Sequence, residues 1–258
     1  MIEIEHLTKS FPLSRKQRRE MGPDFKGKIV HAVDDLSLTA MPGRIFSLLG
    51  ANGAGKTTTL RMVATMIRPT SGSIRVAGMD TVTEAQAVRR KLGFLTGSTA
   101  LYARLTPNEM VKYFADLNGV PKDVMEKRKN HYFDMLDMHD FASRSIGKLS
   151  TGMKQKVSIV RTMIHDPDVV VFDEPTSGLD VITARHIIGL IRECKAAGKT
   201  VIFSTHIMSE VDMLSDDLAI IHQGKLVYSG TYPDFRAGMQ AESLEDEFIR
   251  LAQTISPL

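Results

Sequence analysis

A single cysteine in 258 residues excludes an intramolecular disulfide framework. Cys194 follows Ile187, Ile188 and Ile191 at helical spacing, which puts it on the apolar side of a helix. No apolar run approaches the roughly 20 residues needed to cross a bilayer, and the N-terminal Met-Ile-Glu-Ile-Glu lacks the basic region and apolar stretch of a signal peptide. A chain that stays in the cytoplasm is expected. Excess charge of one sign is also scarce, because a net charge of +3 is too small to argue for nucleic acid as a general partner. The histidines are scattered without metal-ligand spacing, and there is no internal repeat or low-complexity tract. What remains, 43% hydrophobic and 24% charged, is the composition of a folded globular protein with a substantial core.

Short strands are expected first, over Ile2 to Leu7 and Ala32 to Leu38. Between them Arg15, Lys16, Arg18, Arg19, Lys26 and Lys28 crowd a stretch broken by Gly22, Pro23 and Gly27, which reads as an inserted basic loop over about 14–28. It is either solvated or in contact with a membrane surface or partner. After Met41-Pro-Gly43 the run Arg44 to Leu49 is a strand entering a glycine-rich loop, and a helix follows Lys56 with Leu60, Val63, Ala64 and Ile67 on one face, stopping near Arg68-Pro69. At Thr106-Pro107-Asn108-Glu109 a capping hydroxyl, a first-turn proline and a capping-box acid fall in register, so a helix starts there, with Met110, Tyr113, Phe114 and Leu117 at helical spacing. This opens a helical subdomain at about 98–165. Val169 to Phe172 and Thr200 to Phe203 read as strands buried on both faces, and the helix between them makes the order that of a parallel sheet. Leu218 to His222 and Lys225 to Tyr228, joined by Gln223-Gly224, form a terminal hairpin. Ser243 is placed to cap a last helix carrying Leu244, Phe248 and Leu251.

The chemistry sits in Gly50-Ala-Asn-Gly-Ala-Gly-Lys-Thr57. Triphosphate binding needs closely approaching backbone N–H groups, a cation that reaches the β- and γ-phosphates and a hydroxyl on magnesium, and this segment supplies all three. Gly50, Asn52, Gly53, Ala54 and Gly55 form the loop, with the glycines leaving space for phosphate. Lys56 brings the charge, Thr57 a magnesium ligand, and Thr58 a donor for an α-phosphate oxygen. Asp173 ends a buried strand and is suited to hold Mg2+. Glu174 follows it, and an extended backbone would aim it at the other face, toward the attacking water. His206 follows another apolar strand, at the carboxyl edge where ligands gather in a parallel sheet. Leu149-Ser-Thr-Gly-Met153 precedes a helical face of Met153, Val157, Val160 and Ile164. Ser150 and Gly152 therefore sit at a helix N-terminus, which presents donors and positive dipole to an anion.

The ordered set of these motifs, with Ser177-Gly-Leu-Asp180 and Ser204-Thr-His206, resembles the nucleotide-binding subunit of ATP-binding cassette (ABC) transporters across essentially the whole chain. The resemblance implies an α/β P-loop NTPase fold: an ABC cassette with a RecA-like parallel-sheet core, an N-terminal antiparallel β subdomain and the inserted helical subdomain. Residues 1–240 would form the ATPase domain and 241–258 a C-terminal helical tail. It also implies hydrolysis of ATP with Mg2+ and an ATP-dependent head-to-tail homodimer. Each nucleotide would lie between Lys56, Thr57, Asp173, Glu174 and His206 of one copy and Ser150 with Gly152 of the other, the Asp180 segment linking the two sites. Phe11, in Leu-Thr-Lys-Ser-Phe, matches the aromatic on which adenine stacks, where the residues alone would allow a buried strand position. The expected setting is the inner face of the cell membrane, energising integral-membrane permease subunits. A soluble cassette clamp acting on nucleic acid or the ribosome is the alternative, and a nucleotide-sensing module a third.

Two departures from the family pattern stand out. The signature carries Thr151 and Met153 where the family has Gly and Gln, and Gly97 occupies the place of the family's glutamine that contacts magnesium and water. Phe94-Leu-Thr-Gly-Ser-Thr99 with Leu149-Ser-Thr-Gly-Met-Lys-Gln-Lys156 is similar to the sodium-extrusion branch of bacterial exporters, and export of a drug, lipid or peptide stays open. The hydroxyls of Thr96, Ser98 and Thr99 are the available replacements for the lost carboxamide. Replacing all three should lower ATP turnover and its coupling to transport, and unchanged turnover and transport would show that these hydroxyls compensate for nothing.

Overall fold

Alternating burial starts the chain: β1 (Ile2–Pro12) hides Ile2, Ile4 and Leu7, and it pairs antiparallel with β2 (Ile29–Ala40). The computed structural model describes residues 1–14, 27–96 and 101–255. Arg15 to Lys26 of the basic loop, together with Gly97, Ser98 and Thr99, lie outside the described residues. The β1–β2 register shifts after Ile4, beside His6 with φ 49°.

The chain then enters β3 (Ile45–Leu49), five consecutive buried residues, and α1 (Lys56–Val63). This helix is shorter than its apolar stripe suggested. Thr65 turns left-handed with φ 60°, yet Ala64 and Ile67 still pack on the same apolar cluster as Leu60 and Val63. The spacing of the stripe thus outlasts the helix because the following turn folds onto the same surface.

β4 (Ser71–Val76) and β5 (Met79–Asp80) complete an antiparallel sheet of order β2-β1-β4-β5. Next come α2 (Ala85–Lys91) and β6 (Leu92–Thr96), then α3 (Pro107–Leu117), α4 (Lys122–Met135) and α5 (Thr151–Met163). The Thr106 hydroxyl accepts from the Glu109 N–H while Glu109 accepts from the Thr106 N–H, the reciprocal cap its spacing predicts. Met110, Val111 and Ala115 are buried, whereas Tyr113 and Leu117 face outward.

β7 (Val169–Asp173), α6 (Val181–Ala196), β8 (Thr200–Thr205), α7 (Met208–Leu214), β9 (Asp217–His222) and β10 (Lys225–Thr231) follow. The second sheet has the order β10-β9-β3-β8-β7-β6, parallel except for the terminal hairpin. Its inner strands β3, β7 and β8 are buried along their whole length because both faces are covered. Val169 and Val171 join a cluster with the antiparallel sheet, α1 and α2; Val170 and Phe172 join a cluster with α3 to α6. Cys194 is buried in the latter, and burial pushes its thiol pKa up to about 12, so it behaves as a core residue.

The chain closes with α8 (Tyr232–Gly238) and α9 (Leu244–Ile255). Ser243 accepts from the Asp246 N–H, and Leu244, Phe248 and Leu251 pack against the β9–β10 end of the sheet. Glu247, only 2% exposed, takes Arg250 in two hydrogen bonds and the N–H groups of Gln240 and Ala241 in two more. The Arg250 guanidinium and these amides hold its pKa down at about 2. A carboxyl depressed in the fold adds stability above its ordinary pKa, and that contribution fades as pH falls toward the folded value. The stability gap between the protein and its Glu247→Gln variant, measured by urea unfolding, should therefore be full above about pH 4.5 and shrink toward pH 3.

Candidate active site

Parallel register assembles the site. Thr96 pairs with Asp173, Asp173 with Ser204, and Leu49 with Thr205, so four neighbouring strands end together at the carboxyl edge. The loop of Gly50 to Gly55 departs from that edge into α1. A cavity of about 550 Å3 opens there, lined among others by Asn52, Gly53, Ala54, Lys56, Thr57 and Thr58 from the loop and by Thr96, Asp173 and Glu174 from the strand ends.

Gly55 carries φ 110°, and a Cβ there would meet the Ala32 carbonyl oxygen at 2.4 Å; at Gly50 it would meet that of Ile221 at 2.5 Å. These two glycines admit the protein's own backbone, so the space they leave is filled by β2 and β9 and not by phosphate. Gly53, with nothing within 4 Å of an added Cβ, is the one that leaves the loop open.

Lys56 is 3% exposed, and its Nζ donates to the carbonyls of Gly50 at 2.6 Å and Ala51 at 3.1 Å, so the lysine bends back over its own loop. It also lies 3.3 Å from a Glu174 carboxylate oxygen, and the other oxygen of that carboxylate is 3.4 Å from Nδ1 of His206. The Thr57 hydroxyl donates to Asp173 Oδ1 at 2.9 Å, and the Ser204 hydroxyl donates to the same atom at 2.8 Å.

Glu174 does not continue the strand. Its φ of 47° is left-handed, which is uncommon for a residue other than glycine, and its N–H is shared between the Ser204 carbonyl and hydroxyl. The turn, and not the strand's alternation, swings its carboxylate to Lys56 and His206.

The remaining sequence candidates form a separate group. Ser150 caps α5 by accepting from the Met153 N–H, and Asp180 caps α6 by accepting from the N–H and hydroxyl of Thr183, which hold its pKa down. A Cβ on Gly152 would touch Thr183 and the Asp180 carboxylate at 3.2 and 3.4 Å. Ser150, Gly152 and Asp180 are thus brought together, but none lines the phosphate-loop cavity. Neither does Phe11, which stands 38% exposed near the end of β1 with Lys9 Nζ 5.1 Å from its ring; it is not a buried strand residue.

Sequence reasoning passed over Ala32 and Arg61 and gave Ser177, quoted only as part of the Asp180 motif, no role; all three line the cavity. Arg61 follows Thr57 by one helical turn, a usable signal; Ala32 arrives from β2 and carries none. It also passed over Glu210. This buried carboxylate, four residues beyond His206, accepts hydrogen bonds from the hydroxyls of Thr205, at 2.6 Å, and Thr176, while Thr205 takes the N–H of Ile207. It joins the loop after β7 to the loop after β8.

A glycine loop between a buried strand and a helix, with an acid-tipped parallel strand next but one in the same sheet, defines a P-loop nucleotide hydrolase. The model of the ABC transporter family matches residues 33–177, and the chain belongs to that family: it is an ATP-hydrolysing, ATP-binding subunit of a transporter. It is 41% identical over 233 residues to the ABC transporter ATP-binding protein NatA of Bacillus subtilis, covering 90% of this chain and 95% of that one. Among solved structures, an ATP-binding subunit of an ABC transporter superposes with a TM-score of 0.84 at 26% identity, covering 97% of this chain and 99% of the other. A dimeric bacterial ABC transporter cassette superposes at 0.74 and 25% identity, covering 90% and 98%.

Truncating Glu210 leaves two buried hydroxyls without an acceptor. Glu210→Ala should lose about 1–3 kcal/mol of unfolding free energy in denaturant titration, and lower ATP turnover with it, because the His206 loop loses its anchor.

Proposed function

We propose that this chain is the ATPase of an exporter, closing as a head-to-tail pair on two ATP molecules and driving a separately encoded membrane permease. The observation that carries the proposal is the placement of one carboxylate, Glu174, between Lys56 and His206 and beside the Thr57–Asp173 pair. Phosphoryl transfer to water asks for positioning and charge stabilisation more than covalent chemistry. Lys56, freed from two loop carbonyls, offers its ammonium to the β- and γ-phosphates of ATP, and the loop N–H groups hold them. Glu174 orients the attacking water and takes its proton, with His206 beside it to meet the γ-phosphate.

The oxygen donors fit Mg2+. A hydroxyl and a carboxylate already share one place at the sheet edge, which is the donor set a small hard cation takes when phosphates and water supply the rest. Thr57 and Asp173 would hold it, and when bound it neutralises phosphate charge.

The helix end of Ser150 and Gly152 is unused by its own chain's cavity. In the proposed dimer it faces the γ-phosphate of the partner, with Asp180 relaying between the sites and Phe11 stacking adenine. Residues 1–240 act as the ATPase domain and 241–258 as an appended tail. No helix among the described residues is long and apolar enough to cross a membrane, which suits a subunit seated on the inner membrane face beneath its permease. Sodium is the proposed cargo, on the likeness of Phe94 to Thr99 and of Leu149 to Lys156 to sodium-extrusion cassettes.

Glu174→Gln keeps the shape and removes the proton acceptor. The variant should still bind ATP, by fluorescent-nucleotide titration, while steady-state turnover falls on the order of 100-fold to 10,000-fold. Turnover near the parent's would remove Glu174 from the role.

A further inference from the structure

Turning backbone N–H groups toward a phosphate leaves carbonyls of the same loop turned the other way, and each needs a donor. For Ala54 that donor is the Gly224 N–H, at 2.9 Å, from the Gln223-Gly224 turn between β9 and β10. The Ala54 carbonyl and the Gly55 N–H belong to one trans peptide unit, so they point in opposite directions. Holding the carbonyl on the turn therefore aims the Gly55 N–H away from it. Gly55 lines the nucleotide cavity, and Gly224 does not.

The turn is itself held against β2. The Gly224 carbonyl accepts from the Asp34 N–H at 2.8 Å, and Lys225 Nζ lies 3.7 Å from the Asp34 carboxylate. Gly224 carries φ 81°, and a Cβ there would stand 3.1 Å from the carbonyl oxygens of both His31 and Ala32. A side chain at this position is strained by its backbone and crowds two fixed carbonyls. It would push the turn off β2 and, with it, off Ala54.

The C-terminal helix closes the arrangement from the other side. Ala219 and Ile221 of β9 join the apolar cluster that holds Ala54, whereas Leu218 and Ile220 of the same strand join Phe248 and Leu251 of α9. Alternation along one strand thus places the hairpin between the phosphate loop and the tail. The tail cluster also takes in Leu49, the last residue before the loop. No residue of α9 lines the cavity, so whatever the tail does for the site it does through the hairpin and the strand.

We propose that Gly224 is a positioning residue for ATP, and that α9, by holding the β9–β10 hairpin in place, sets ATP affinity without touching the nucleotide. The proposal rests on ATP binding at the phosphate loop, which titration of the parent tests by itself. Loop N–H groups hold the phosphates before and during transfer alike. Their misplacement therefore weakens binding and leaves the turnover of bound ATP unchanged.

The full chain and its variants are titrated with a fluorescent ATP analogue in the presence of Mg2+, and turnover is followed across ATP concentrations. Gly224→Ala should raise Kd and KM on the order of tenfold while kcat stays at the parent's value. Gly78→Ala is the matched control. Gly78 has the same φ of 81°, in the β4–β5 turn, with nothing within 4 Å of an added Cβ, so this variant should bind ATP as the parent does. Leu251→Ala should weaken binding about threefold, and the double variant no further than Gly224→Ala, since both act through one turn. Failure of the parent to bind ATP would remove the phosphate-loop reading and this proposal with it. Equal affinity in Gly224→Ala and Gly78→Ala, or a loss confined to kcat, would overturn the role of Gly224, and parent affinity in Leu251→Ala that of α9. Should Gly224→Ala lose cooperative unfolding, Phe248→Ala decides beside Leu251→Ala: weaker ATP binding by the folded protein supports the brace, and unchanged binding sinks it.

Discussion

Asp173 holds the position on which the site's geometry depends, a carboxylate 7% exposed at the tip of a buried strand. Such a group must be hydrogen-bonded where it lies, and the hydroxyls of Thr57 and Ser204 both donate to one of its oxygen atoms. One partner comes from the helix after the glycine loop and the other from the adjacent strand. A one-residue slip between β7 and β8 would send Asp173 into the apolar layer on the opposite face. The register that satisfies this carboxylate also delivers Glu174 to its turn, since the Glu174 N–H binds Ser204 as well.

From that point the site is a set of loops braced against each other. Glu174 reaches Lys56 and His206, and behind them Glu210 ties Thr176 to Thr205. Four residues after Thr176 the chain reaches Asp180, which caps α6 and faces Gly152. A continuous run of polar contacts and short turns therefore connects the phosphate loop with the helix end that the proposed dimer offers to its neighbour.

Much of the fold was legible because its elements repeat simple periods. Buried runs at Val169 to Phe172 and Thr200 to Phe203 read as covered strands, the Thr106 and Glu109 spacing read as a reciprocal cap, and Gln223-Gly224 read as a hairpin. Errors came where a period continues after the element has stopped. Ala64 and Ile67 extend the stripe of α1 although Thr65 has already left the helix. Glu174 breaks the alternation of β7 because its backbone is left-handed, a choice made by its bond to Ser204 and not by its neighbours in sequence. Gly50 and Gly55 looked like room for phosphate but make room for backbone from distant strands.

The identity and order of the chemical groups belong to the sequence. The glycine loop with Lys56 and Thr57, the acid pair of Asp173 and Glu174, the histidine after a buried strand and the serine at a helix start are each local, because short-range spacing is enough to specify a phosphate cradle, a strand tip or a cap. Their sorting into two groups was decided by the tertiary structure, as were the role of Glu210 and the carbonyls that fill the space beside the glycines. Each of these depends on which strand lies beside which, and on what burial leaves without a partner. Such long-range contacts leave no period or motif along the chain.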